Sequence, residues 1–362
     1  MKSRWLIMAG GVVMAVSLLK GCSTEQQKFY NTGMSNSAEN SSLWEVAKMY
    51  WRTERVAPRP TATLPLRNIP AAELAEPSPE ARVYRLGHSS VLIQLDGQTI
   101  LTDPVFSERA SPVQWMGPKR FHPLPLELSA LPPIAAVVIS HDHYDHLDKA
   151  SILALNDKVA RFLVPLRVGN HLRRWGVDDD KIIELDWWQS HSLGSITFTA
   201  TPAQHFSGRG LRDKDHTLWA GWAIAGQAAN LFFSGDSGYF DGFRDIGERL
   251  GPFDLTLIET GAYNQLWSSI HMLPEQSVQA HIDLRGEVML PIHNSTFDLA
   301  LHDWFEPLER ATAAGWDRNV RVVTPMIGAA VRVHNPQVTG FWWQTDVATE
   351  LANEGEARAE VR

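Results

Sequence analysis

Ser140-His141-Asp142-His143-Tyr144-Asp145-His146-Leu147-Asp148 follows directly on residues 135–139, a short apolar run that reads as a buried strand. Four residues able to ligate a metal, His141, His143, Asp145 and His146, fall within six positions of this stretch. In a tight loop, His141 and His143 face one ion while Asp145 and His146 face a second. Packing gives no reason for such density, because a buried imidazole or carboxylate has to find partners. The stretch therefore reads as half of a metal site, carried on a loop at the end of a rigid β-scaffold.

The other half appears further along the chain in matching places. His205 ends Thr201-Pro202-Ala203-Gln204-His205, after a strand-like run at 196–201. Asp236 lies in Phe233-Ser234-Gly235-Asp236-Ser237-Gly238, after a run at 230–233, and His293 in Pro291-Ile292-His293-Asn294, after a run at 288–291. The set is five histidines and two aspartates. If Asp236 bridges, one ion takes His141, His143, His205 and Asp236, and the other takes Asp145, His146, His293 and Asp236. A few protein ligands with one open position is the pattern of a catalytic zinc site. Two zinc ions about 3.5–4 Å apart share a hydroxide, formed because zinc lowers the pKa of water towards about 7. Asp145 and Asp236 are thus expected to be catalytic through the ions they hold. Iron or manganese would suit the same imidazole and carboxylate donors. Two zinc ions set against two aspartates and a hydroxide leave net positive charge. That suits an anionic phosphodiester, and equally an oxyanion formed from a lactone or an amide.

Outward from these loops, strand-like runs are expected at 83–86, 90–95, 99–102, 161–164, 219–225, 255–258, 321–324 and 329–333. Asp96-Gly97 is a hairpin signal. Helices are expected at 149–156, 167–175, 274–284 and 303–314, with Pro274-Glu275 as a helix start. Strands in runs, with helices between some of them, give an α+β fold in which two packed β-sheets are flanked by helices. The catalytic domain is expected over residues 81–340, with a C-terminal tail at 341–362.

The N-terminus has a different character. Lys2 and Arg4 precede an apolar run from Trp5 to Leu19, and Lys20-Gly21-Cys22 follows. This is the order of a secretory signal, and the run is shorter than the roughly 20 residues a membrane span needs. A small residue directly before Cys22, the chain's one cysteine, is similar to a bacterial lipoprotein signal over 1–22. Cys22 would then be the lipidated residue, although Lys20 stands where a small or apolar residue is usual. The polar stretch 23–42 reads as a flexible tether, residues 43–51 as a short amphipathic helix, and 57–80, with six prolines, as an extended arm lying on the domain. Together, 23–80 form the tether and arm. These features place the protein in the bacterial cell envelope, anchored to the membrane with its catalytic domain in the periplasm. A net charge of -8 argues against a nucleic-acid partner.

At the 141–146 loop the chain resembles the metallo-β-lactamase superfamily, whose hallmark is His-x-His-x-Asp-His, and the later ligands follow in that family's order. No cysteine stands at a ligand position, unlike many true β-lactamases, and His143 in place of glutamate sets the chain apart from the di-iron oxidoreductase branch. The residues at 141–148 and 201–205, Gly235-Asp236-Ser237-Gly238-Tyr239, Gly261-Ala262-Tyr263 and His271-Met272-Leu273-Pro274-Glu275 are similar to the N-acylphosphatidylethanolamine-hydrolysing phospholipase D family. The resemblance covers roughly residues 50–335. It implies an αβ/βα four-layer sandwich, two zincs, and cleavage of a phospholipid's phosphodiester to release phosphatidic acid. Gly87-His88-Ser89 resembles the superfamily's first motif, leaving His88 either structural or a residue that approaches the metals and contacts substrate. Tyr263 is open between contacting substrate and packing, and His271 between a catalytic or substrate role and a local contact. Asp103 reads as the partner of a ligating histidine. Trp187-Trp188 and Trp342-Trp343 read as core before they read as the lining of an apolar site. A lactonase or sugar-phosphate hydrolase on the same fold is the nearest alternative. A surface-anchored binding protein is a further one, against which the complete ligand set speaks.

Overall fold

A computed structural model describes residues 27–32, 52, 53, 55–75, 78, 80–337 and 340–344. The leader with Cys22, the expected helix at 43–51 and the chain beyond 344 lie outside the described residues. Within them the chain builds two seven-stranded sheets. The first runs in the order β14 (Ala330–Arg332), β1 (Arg82–Gly87), β2 (Ser90–Leu95), β3 (Gln98–Thr102), β4 (Ile134–Val138), β5 (Val159–Pro165), β6 (Ile182–Leu185). The second runs β7 (Ser190–Leu193), β8 (Ile196–Thr201), β9 (Gly221–Ala225), β10 (Asn230–Phe233), β11 (Phe253–Glu259), β12 (Gly286–Ile292), β13 (Arg321–Val322). In that order each sheet has three antiparallel pairings and then three parallel ones. The two halves are therefore built to one plan, completed in the first sheet by β14 returning from the end of the chain.

Alternation along the strands makes the layers. Val83, Val91, Ile93, Ile100, Ala136 and Val138 of the first sheet meet Phe198, Trp222, Ile224, Leu231, Leu257 and Leu290 of the second in one core. Their neighbours Tyr84, Leu92, Leu101 and Val137 point the other way, under α2 (Lys149–Leu155) and α3 (Gly169–Arg174). Phe232, Ile258 and Met289 likewise lie under α4 (Gly242–Leu250), α5 (Pro274–Asp283) and α6 (Glu306–Asp317). Strands buried on both faces read as continuous apolar runs, which is why most of them were legible. The result is the αβ/βα four-layer sandwich expected from the sequence.

Several elements depart from expectation. β7, Ser-His-Ser-Leu, is an edge strand paired only to β8 and carries no apolar alternation. α4 buries Phe243 and Ile246 but holds two glycines, which lower its intrinsic helicity. Gly247 is required there, since a Cβ would lie 2.2 Å from the Asp283 carbonyl at the end of α5. β6 and the five-residue α1 (Ala71–Ala75) are too short to signal themselves. The strand expected at 219–225 begins only at Gly221, that at 321–324 shortens to two residues, and the last helix shifts to start with Glu306-Pro307.

The polar segment read as a tether is not free throughout. Over residues 27–32 it lies against the domain, with Phe29 N donating to Asp215 O at 2.9 Å and Arg167 stacked over the Phe29 ring. The proline-rich arm does lie on the domain, burying Ala57, Leu64 and Ile69. Trp342 and Trp343 pack with Leu64, Trp304 and Leu308, so the residues just past 340 belong to the packed unit. No helix among the described residues is long and apolar enough to cross a membrane.

Candidate metal centre

The loops after β4, β8, β10 and β12 converge at one end of the two sheets, and they carry the seven sequence-derived ligands. Gly235 makes the convergence possible. At φ 58° it turns the β10 loop so closely past Ser140 that a Cβ would lie 2.5 Å from the serine Cβ.

Ligating atoms of His141, His143 and His205 lie within 4.8 Å of one another, as do those of Asp145, His146 and His293 together with His88. Asp236 sits between the sets. Its Oδ2 is 3.1 Å from Nε2 of both His146 and His293, 3.8 Å from His205 Nε2 and 3.9 Å from His141 Nε2.

The protein commits the opposite ring nitrogens elsewhere, which sets the tautomers. Asp103 accepts from His146 Nδ1 at 2.7 Å and from Ser140 Oγ at 2.5 Å, leaving that hydroxyl to accept from His141 Nδ1 at 2.9 Å. His205 Nδ1 donates to the Ile270 carbonyl at 2.9 Å. Three Nε2 lone pairs are therefore aimed inward. Asp103 is thus where it was expected, hydrogen bonded behind a histidine of the candidate ligand set.

These residues fit metal ions on grounds internal to the structure. His141 Nε2 and His143 Nδ1 are 2.8 Å apart, and two lone pairs at that distance repel unless a cation or proton lies between them. His146 Nε2, both ring nitrogens of His293 and Asp236 Oδ1 are buried without a hydrogen-bond partner among the described residues. Buried polar atoms seldom go unpaired, and a cation shared among these converging lone pairs would satisfy them together. Asp145 and His271 keep side-chain exposures of 18% and 14%, so this side is the way in.

Not every residue singled out by sequence takes a ligand or substrate position. His88 is buried, with Nε2 3.0 Å from Asp145 Oδ2, so its ring is enclosed beside the candidate ligands Asp145, His146 and His293 and does not open towards substrate. Tyr263 is also closed in: its hydroxyl donates to Glu306 at 2.7 Å and its ring stacks on His302. Asp142 turns away from the centre and accepts from His171, Thr217 and the Gly208 amide, while Asp148 caps α2. His271 is brought beside Asp236 and forms a very short hydrogen bond through Nδ1 to Glu259. The sequence reading missed Glu259. It is fully buried at the end of β11, and its other oxygen accepts from the Ser237 amide at 3.0 Å. The available signal was a carboxylate closing an otherwise apolar strand, a position relative to its sheet like that of the candidate ligands.

Charge in this cluster is unevenly held. Burial opposes charge on His293, but Asp236 and Asp145 outweigh it and lift the imidazole to about 10. Burial likewise opposes charge on His146, which the same carboxylates raise well above the ordinary histidine range. Burial alone would raise Asp236, yet His146 and His293 hold it well below the usual carboxylate range. Burial pushes His88 down to about 3, and His141 and His205 well below 6.5. A pH dependence of the metal-free protein follows. Groups with depressed folded values lend stability that is lost as pH falls below 6.5. His293 lends stability that is complete below 6.5 and lost as pH rises through about 10. Chelator-treated protein is therefore expected to melt highest near pH 6.5 and lower on both sides. Zinc should remove the alkaline decline, because it replaces the proton. Thermal unfolding from about pH 4 to about pH 10, with and without zinc, checks this, and an unchanged alkaline limb would contradict it.

Comparison with known proteins agrees with the geometry. Residues 98–294 match the family described as Beta-lactamase superfamily domain. An uncharacterised protein of Mycobacterium tuberculosis is 45% identical over 306 residues, covering 83% of this chain and 80% of the relative. N-acyl-phosphatidylethanolamine-hydrolyzing phospholipase D 1 of Caenorhabditis elegans is 38% identical over 263 residues, covering 69% of this chain and 73% of the relative. Among solved structures, a metallo hydrolase from the archaeon Ignicoccus hospitalis superposes with a TM-score of 0.53 at 22% identity, covering 69% of this chain and 97% of that one, a likeness of fold.

Proposed function

Because the chain belongs to the metallo-β-lactamase superfamily, we propose that it is a dinuclear zinc phosphodiesterase acting on phospholipids of the N-acylphosphatidylethanolamine type. The observation that carries the reading is Asp236, one oxygen of which faces imidazole nitrogens of both ligand sets at 3.1–3.9 Å. His141, His143, His205 and Asp236 would hold one ion, and Asp145, His146, His293 and Asp236 the other. When bound, two zinc ions would bring the pKa of water towards about 7 and offset the charge that builds on a phosphoryl group. Asp103 and Ser140 keep His146 and His141 turned inward. His271, with Nδ1–H committed to Glu259, would in its doubly protonated form give the Nε2 proton to the oxygen of the leaving alcohol and be left as the neutral imidazole. The lipid substrate rests on the nematode relative, whose name gives it that hydrolysis. The proposed setting is the bacterial envelope, with lipid on Cys22 holding the catalytic domain at the bilayer. Its support is the basic start, the apolar run and Gly21-Cys22.

Full-length, zinc-loaded protein in detergent is expected to hold about two ions per chain and to release phosphatidic acid from N-acylphosphatidylethanolamine vesicles. Hydrolysis of lactones with phosphodiesters untouched would overturn the substrate class, and fewer than two ions in active enzyme would overturn the dinuclear centre. Metabolic fatty-acid labelling that survives Cys22→Ala would overturn the anchor.

A further inference from the structure

His205 has four groups that hydrogen bond: a backbone N–H, a backbone carbonyl and two ring nitrogens. Nε2 faces Asp236 and Nδ1 is taken by Ile270. The backbone pair lies just past the end of β8, where no strand continues to receive it, in a residue only 1% exposed. Both groups are satisfied by one side chain far away in sequence. Asn31 Nδ2 donates to the His205 carbonyl at 2.8 Å, and Asn31 Oδ1 accepts from the His205 amide at 3.0 Å. The same Oδ1 also accepts from Trp219 Nε1 at 3.0 Å. Among the described residues the His205 backbone has no other hydrogen-bond partner. A primary amide matches a peptide unit in this way because it offers one donor and one acceptor side by side. The segment carrying Asn31 is fastened beside it, through Phe29 N on Asp215, Arg167 on the Gln27 carbonyl and Arg167 over the Phe29 ring.

We infer that Asn31 is a positioning residue for the metal centre: residues 27–32 form a strap that locks the His205 backbone, and thereby aims Nε2 at the ion held with His141 and His143. The segment nine residues past Cys22 is thus a structural part of the site, and any pull on it, from the anchor side or by proteolysis, acts first on that one ion. This rests on the reading of His205 as a ligand. A buried backbone pair left unpaired costs stability locally, and loss of a ligand's supporting partner typically weakens metal affinity by about 10–100-fold.

The test uses the full-length protein, with zinc itself as the probe. Wild type, Asn31→Ala, Asn31→Asp and the neighbouring Tyr30→Ala are each loaded with zinc, dialysed against graded chelator, and assayed for ions retained per chain and for melting temperature. Asn31→Ala is expected to lose one ion at about 10–100-fold lower chelator than wild type while keeping the other. Asn31→Asp, which keeps the acceptor for the His205 amide and Trp219 Nε1 but sets an oxygen against the His205 carbonyl, should fall between. Tyr30→Ala, altered at a side chain that is 68% exposed, should match wild type. Two ions released by Asn31→Ala at the wild-type chelator concentration would overturn the strap. So would loss of both ions in parallel with a global fall in melting temperature shared by Asn31→Asp. Wild type that never holds a second ion would instead overturn the ligand reading of His205, and the strap with it.

Discussion

Asp236→Ala is expected to abolish hydrolysis and to empty the centre of metal. The Asp236 Oδ2 lies 3.1–3.9 Å from imidazole nitrogens of both histidine sets, so on the proposed reading its removal would take a ligand from two ions at once. Activity should fall by more than the roughly 100-fold typical of losing a ligand's partner, by about 10³-fold or beyond. Metal content should drop from about two ions to well under one. The metal-free protein should change too. Without that carboxylate His293 loses the largest of the charges that oppose its burial, its raised value falls, and the alkaline limb of the stability profile shrinks. His88→Ala makes the contrast, since that ring hydrogen bonds Asp145 and lies against His293, all on one side of the centre, and does not face the other histidine set. Steady-state kinetics beside elemental analysis decide the matter. An Asp236→Ala protein that keeps two ions, or hydrolyses within tenfold of wild type, would rule out a shared ligand.

The second large effect is expected at Asp103, a residue that touches no substrate. Its carboxylate is fully buried and accepts from the Ser140 amide at 2.7 Å, Ser140 Oγ at 2.5 Å and His146 Nδ1 at 2.7 Å. Asp103→Ala strands three buried donors and releases the two hydrogen bonds that set the tautomers of His141 and His146. The stability cost should be about 2–4 kcal/mol, from donors left unpaired in a buried site. Metal affinity should weaken by about 10–100-fold. Asp103→Asn keeps the shape and one acceptor oxygen, but it offers an N–H where Ser140 or His146 also donates. It should recover part of the stability and little of the metal affinity. Denaturant unfolding and zinc titration separate the two effects. Wild-type zinc affinity in Asp103→Ala would show that the histidines hold their orientation without it.

The ligands and their partners differ in how they show themselves along the chain. Each ligand follows an apolar run, because a sheet buried on both faces must be apolar and must end where polar chemistry begins. That pattern is local, so the candidate ligands His141, His143, Asp145, His146, His205, Asp236 and His293 were readable one loop at a time. Asp103 was readable for the same reason, just beyond β3. Glu259 closes β11 in the same manner but stands alone, with no neighbouring histidine to draw notice. Its meaning comes from His271, twelve residues on, which reaches it only after the chain has turned through Trp267 and Ile270.

Roles within the motifs were less legible than membership. Asp142 and Asp145 are three residues apart and chemically alike, yet one ties the loop to His171, Thr217 and Gly208 while the other faces His293. His88 and Tyr263, whose roles the motifs left open, are enclosed by Asp145 and Glu306, contacts set by strand register and helix placement. The segment at 27–32 is polar and without periodicity, so its composition pointed to a tether. Its fixed place comes from a few long-range hydrogen bonds to His205, Trp219 and Asp215.

The sequence by itself pointed to two packed sheets flanked by helices and to seven candidate ligands, since apolar runs and the spacing of ligating side chains are written in consecutive residues, while the four-layer order came with the family resemblance. Only the tertiary structure decided which histidine faces which partner, that Glu259 stands behind His271, and that Asn31 holds the His205 backbone. Each of those is a hydrogen bond between groups far apart in the chain, and its energy depends on distance and angle, which exist only once the sheets have packed.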